Sequence, residues 1–132
     1  MSHNILRVYP YKMDSLGNNY PIIPLSVEYS RKKQEILALI DSGATISIFR
    51  KEVADYLQIN IKKGKEITLG GVGGKIKGYL HDLKIEVAGK RFICPVVFSQ
   101  EYSVSLNLLG RESFFKNFTI TFLESKRQVK LD

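Results

Sequence analysis

The run Ile36-Leu37-Ala38-Leu39-Ile40 is apolar at every position and stops at a carboxylate, Asp41. An unbroken apolar run of this length suits a strand covered on both faces. A carboxylate at its end is costly to bury unless hydrogen bonds or a shared proton compensate. Upstream, Ile23, Leu25, Val27 and Tyr29 alternate with Pro24, Ser26 and Glu28, the period-2 pattern of a half-buried strand. Arg31 to Gln34 is expected to be the polar turn between the two. Further strands are expected over residues 66–69, 75–87, 91–98, 118–122 and 128–131, with Ala88-Gly89-Lys90 as a turn. The period changes over residues 48–57, where Phe49, Val53, Tyr56 and Leu57 fall at i, i+4, i+7 and i+8, the spacing of a short amphipathic helix. One or two helical turns are expected over residues 111–117. The fold class expected is therefore all-β with one or two short helices.

A chain of 132 residues fits one domain and can bury about two thirds of its unfolded surface. Residues 1–19 have the least regular pattern and are expected to form an N-terminal extension, with a turn over Asp14 to Asn19. Residues 20–132 form the expected domain. No apolar run is long enough to span a bilayer, and the start of the chain does not have the pattern of a secretory signal. The single cysteine, Cys94, lies in an apolar strand-like context and reads as a reduced structural thiol, which suits a cytoplasmic location. The net charge of +7 is spread along the chain with no nucleic-acid signature, so a solvated basic surface is expected and no nucleic-acid or membrane partner.

Two short motifs could carry chemistry. Asp41-Ser42-Gly43 places a carboxylate, a short hydroxyl and a residue that tolerates close backbone approach directly after the apolar run. Alone, the tripeptide also describes an ordinary Asx-type turn. The second motif is Gly70-Gly71-Val72-Gly73-Gly74, between two strand-like segments. A phosphate loop is excluded by spacing, since it would need Gly at Leu69 and Ser or Thr at Ile76. His3 and His81 have no cysteine pair nearby, so no metal site is expected.

With these motifs in place the sequence resembles the retropepsin-like aspartic peptidases over most of residues 20–131. Leu39-Ile40-Asp41-Ser42-Gly43-Ala44 is similar to the family's catalytic loop. Leu108-Leu109-Gly110-Arg111, about seventy residues later, is similar to its second signature, which in the family packs beneath that loop. The glycine-rich hairpin between them corresponds to the flap that closes over bound peptide. The resemblance implies a closed, barrel-like acid protease fold with one lobe per chain. It also implies Asp41, Ser42 and Gly43 as the catalytic motif, and Ala44, Thr45, Gly70, Gly71, Val72, Gly73 and Gly74 as substrate-binding residues, with no cofactor.

Family chemistry needs two facing aspartates, one removing a proton from water and one, protonated, polarising the peptide carbonyl. This chain holds one Asp-Ser-Gly, so the resemblance implies a symmetric homodimer cutting polypeptide substrates. Ile5 to Tyr11 and Gln128 to Leu131 are the expected interprotomer strands. Because Ala44 offers no side-chain hydroxyl to the dyad, a mildly acidic optimum, roughly pH 4 to 6, is expected. The sequence departs from viral members after Gly43-Ala44: they carry acidic residues that bind substrate backbone and pair with the arginine of the second signature, whereas here Thr45 and Ile46 stand there. A non-catalytic dimerisation or peptide-binding module on the same fold is the alternative.

Overall fold

A two-residue turn sets the first long hairpin. Ser30 and Arg31 have φ of 47° and 73°, the two successive left-handed residues of the tight turn that matches strand twist. The structure, a computed structural model, describes residues 7–71 and 74–132. Its strands are β1 (Arg7–Pro10), β2 (Lys12–Met13), β3 (Asn19–Tyr20), β4 (Ile22–Tyr29), β5 (Lys32–Ile40), β6 (Ser47–Ile48), β7 (Lys65–Gly71), β8 (Gly74–Val87), β9 (Lys90–Phe98), β10 (Asn107–Leu109), β11 (Ile120–Leu123) and β12 (Gln128–Leu131). One helix, α1 (Lys51–Leu57), and three single 3-10 turns complete the described elements.

The strands β4, β5, β10, β6, β9 and β8 pair in that order, and β4 also pairs with β8, closing a six-stranded barrel. β7 adds to the outer part of β8. β8 is long enough to serve three partners: residues 74–80 pair with β7, 79–87 with β9 and 84–86 with β4. At Gly78 it crosses the barrel so closely that a Cβ would lie 2.5 Å from Val97 Cγ1. Ile23, Leu25 and Val27 of β4, Ala38 and Ile40 of β5, Leu83 and Ile85 of β8 and Cys94 and Val96 of β9 fill the interior. A second sheet, β1-β12-β11, joins the two ends of the chain and covers the core with Val129 and Leu131.

Several expectations need correction. The turn is Ser30–Arg31, and Lys32 to Gln34 already lie in β5. The apolar run is not covered on both faces of the protomer, since Ile36, Ala38 and Ile40 point inward while Leu37 is 50% exposed. The pleat alternates sides whatever the sequence, and no layer of the described residues buries the face bearing Leu37. The helix begins at Lys51 instead of residue 48, because Ser47 and Ile48 pair with Val96 and Val97. Phe49 is buried ahead of the helix, and Tyr56 lies in solvent beneath the Lys32 ammonium. Over residues 111–117 a single 3-10 turn forms, Phe115–Asn117.

Residues 7–20 are more regular than their composition suggests, and Ile5 and Leu6 lie outside the described residues. Tyr9 faces Val129 across the β1–β12 ladder. Tyr11 donates its hydroxyl to Glu124 Oε1 at 2.6 Å, and its N–H to Arg127 O. Residues 14–18 form the tip of the β2–β3 hairpin, with Asp14 Oδ1 accepting from the N–H groups of Leu16 and Asn18.

Candidate active site

Asp41 stands where β5 ends, and β10 holds it there. β10 runs parallel to β5 with Leu109 beside Ile40, and the Asp41 N–H extends the ladder by donating to Leu109 O at 3.0 Å. The chain then turns: Ala44 N–H returns to Asp41 O at 3.1 Å, and Gly43 N–H donates to the Asp41 carboxylate Oδ1 at 2.9 Å. A Cβ at Gly43 would sit 3.3 Å from that oxygen, tight enough that a side chain would push on the carboxylate. That is the local reason for glycine at the third position. Asp41 and Ala44 are half-buried, while Ser42, Gly43 and Thr45 are exposed.

The second signature packs beneath this loop. Arg111 N–H donates to Ala44 O at 2.9 Å and Glu112 N–H to Thr45 O at 2.7 Å. At Gly110 the two backbones nearly touch, for a Cβ there would lie 2.5 Å from the carbonyl carbon and oxygen of Ile46. The Arg111 guanidinium meets the Thr45 hydroxyl at 3.3 Å, so the position that is acidic in viral members still partners this arginine, through a neutral hydroxyl.

Two buried polar side chains lock the assembly, and neither was singled out from the sequence. Ser47 Oγ accepts the Gly110 N–H at 3.0 Å. Asn107 accepts the Arg50 N–H at 2.8 Å and donates to Leu37 O at 2.9 Å, tying β10 to the start of α1 and to β5. Each is a polar residue inside an apolar stretch, which signals a hydrogen-bond requirement, but their partners lie 57 to 70 residues away. Half-buried Tyr102 was likewise not singled out from the sequence. Its hydroxyl donates to Leu106 O at 2.7 Å and is pushed up to about 12, first by burial, then by the Asp41 charge, with Arg50 acting the other way. It therefore stays a protonated donor, and it shares the electrostatic neighbourhood of Asp41.

The glycine-rich hairpin is formed by β7 and β8, with Gly70 opposite Lys75 and Gly71 opposite Gly74. Gly74 has φ of +108°, the conformation that glycine admits without strain. Val72 and Gly73 lie outside the described residues. Its base is tied to the segment leading to Tyr102: Ser99 Oγ donates to Lys77 O and Lys77 N–H to Glu101 Oε2, both at 2.6 Å. No hydrogen bond among the described residues joins the hairpin to the loop at Asp41. The structure thus brings Asp41 to Thr45 together with Arg111 and leaves Gly70, Gly71 and Gly74 on a separate element.

The family model for aspartyl proteases matches residues 25–113, which span the loop, the hairpin and the second signature. The chain belongs to the aspartyl protease family. A retropepsin-like aspartic protease from Rickettsia conorii shares the fold, with a TM-score of 0.66 at 20% identity over 96% of this chain and 98% of that one. The EIAV protease, solved with the inhibitor HBY-793, aligns with a TM-score of 0.55 at 19% identity over 70% of this chain and 82% of that one. No curated protein matches. These likenesses agree with the closed barrel and its single lobe.

Two further titratable groups of this aspartyl protease, His81 and Cys94, have structural surroundings. His81 is buried, its Nε2 2.8 Å from Ile61 O and its ring edge-on to Phe98. The Cys94 thiol is pushed up to about 11, chiefly by burial, with the Ser47 hydrogen bond lowering it and Asp82 raising it. Both His81 and Cys94 are buried, and His3 lies outside the described residues. Among the described residues no three His, Cys, Asp or Glu side chains gather as a metal site would require.

Proposed function

We propose that the chain is an aspartic endopeptidase whose active site is completed by a second copy across a two-fold axis. The observation carrying this reading is a half-buried Asp41 that donates its N–H to Leu109 O and accepts the Gly43 N–H at its carboxylate, on a loop clamped at Ala44 and Thr45, in a family chain with a single Asp-Ser-Gly. Water activation needs one ionised and one protonated carboxylate side by side, and one lobe supplies half of that pair. Asp41 and its mate would share a proton. The exposed Ser42 would bond across the axis and Ala44 and Thr45 would line the floor of the cleft. The β7–β8 hairpin, Gly70 to Gly74, would close as a flap over an extended peptide, pairing with it by backbone. Gln128 to Leu131, expected to pair between protomers, is β12 and is already paired on both sides within the chain, so β1, an edge of the sheet that joins the chain ends, is the candidate for contact with the mate.

The test is cleavage of an unfolded protein by the parent and by Asp41→Asn, alongside sedimentation. Loss of at least a thousand-fold in rate with fold and association intact is expected. Specific rate should also fall as the parent is diluted through its dimer dissociation constant. Binding of peptide with no Asp41-dependent cleavage at any pH between 3 and 8 would instead establish the peptide-binding module.

A further inference from the structure

All thirteen Asp and Glu residues of the chain lie within the described residues, yet none forms an ion pair with Arg111. Its neighbour Glu112 is already engaged with Lys116 at 2.8 Å. The guanidinium is exposed and meets a neutral hydroxyl, Thr45 Oγ1, at 3.3 Å. A guanidinium has five N–H donors in a planar fork that fits a carboxylate in two-point fashion. Thr45 occupies one of them, leaving both the charge and most of the fork available.

The position of this cation is not loose. The Arg111 and Glu112 N–H groups bond to Ala44 O and Thr45 O, so the base of the side chain is fixed to the loop that carries Asp41. Thr45 is four residues from Asp41, which limits the separation of their Cα atoms to about 14 Å. An extended peptide advances about 3.3 Å per residue, so a chain bound at Asp41 would pass the Thr45–Arg111 pair within about four residues of the cleaved bond.

We propose that Arg111 is a specificity-determining residue that selects peptide substrates with an acidic side chain within about four residues of the cleaved bond. In a symmetric dimer each protomer contributes one such cation, so the preference recurs on both sides of the bond. Thr45 is the residue that leaves the guanidinium free, because a carboxylate there would neutralise it. The net charge of +7 adds a weaker, salt-screened attraction for acidic chains.

This inference rests on the peptidase reading, and the experiment separates the two. Peptides differing by Glu against Gln at single positions are compared by kcat/KM for the parent, Arg111→Gln and Thr45→Asp. The Glu/Gln ratio is taken within each protein, which cancels changes in overall rate. A ratio of about five is expected for the parent at one position on each side, the size of a partly exposed charge pair. It should fall toward one in both variants and in 0.5 M salt. The same peptide pairs are titrated by fluorescence anisotropy against Asp41→Asn. If the parent cuts nothing, the peptidase reading fails while the binding ratio still decides the role of Arg111. A ratio of one at every position in the parent, or an unchanged ratio in both variants, overturns the proposal.

Discussion

The loop at Asp41 and the glycine-rich hairpin are both glycine-dependent, and they use glycine for opposite ends. At Gly110 a missing Cβ, which would lie 2.5 Å from the Ile46 backbone, lets two backbones pack closely, and at Gly43 it spares the Asp41 carboxylate a contact at 3.3 Å. Around them Ser47 and Asn107 supply buried hydrogen bonds that fix the geometry. In the hairpin, a Cβ at Gly70 or Gly74 would meet nothing within 4 Å. There glycine serves backbone freedom, with packing making no demand. One region fixes a carboxylate by packing and hydrogen bonds, while in the other packing leaves Gly70 and Gly74 unconstrained, the division that the proposed reacting group and ligand-adjusting hairpin would need.

Gly110→Ala should break the rigid region most severely. The new methyl meets Ile46 backbone, which cannot swing aside, so a loss of about 3 kcal/mol or more is expected, with activity lost as well. Denaturant unfolding checks it, and a loss below 1 kcal/mol would show that the loop yields. Asn107→Ala should follow, at about 2 to 4 kcal/mol, because the Arg50 N–H and Leu37 carbonyl both lose their partner in a buried site.

Alkaline pH offers a third probe of the rigid side. The Cys94 thiol, ordinarily at 9.0, is pushed up to about 11 in the folded chain. The native state thus holds the proton more tightly than the unfolded chain. This contribution is complete below about pH 9 and is lost as pH climbs toward 11. Melting temperature should fall across that window, and more steeply in the parent than in Cys94→Ala. Equal slopes would remove Cys94 from the account. Tyr102 adds its own loss between pH 10 and about 12, with the same sign.

The smallest effect is expected from Gly70→Ala on the adaptable side. Its side chain enters open space, so stability should change by no more than about 0.5 kcal/mol. A cost as large as that of Asn107→Ala would erase the contrast between the regions.

Much of this was legible in the chain itself. Period-2 alternation located β4, because a sheet with one face inward writes its pleat into the sequence, and β8 and β9 stand where strands were expected. Asp41-Ser42-Gly43 and Leu108-Leu109-Gly110-Arg111 marked the loop and its support. The run Ile36 to Ile40 misled on burial, since five apolar residues cannot say how many faces have a neighbour. Leu37 is half-exposed because no described element buries its side.

By itself, then, the sequence determined the strand-rich class, the order of the motifs and the presence of one Asp-Ser-Gly per chain. These are properties of local pattern and of counting. Tertiary structure alone decided that Ser47 accepts from Gly110, that Asn107 bridges Arg50 and Leu37, and that Arg111 meets a neutral Thr45. Each of those contacts joins residues 57 to 70 positions apart. They exist because β10 threads in register between β5 and β6, and register is set by closure of the whole barrel, which no local pattern encodes.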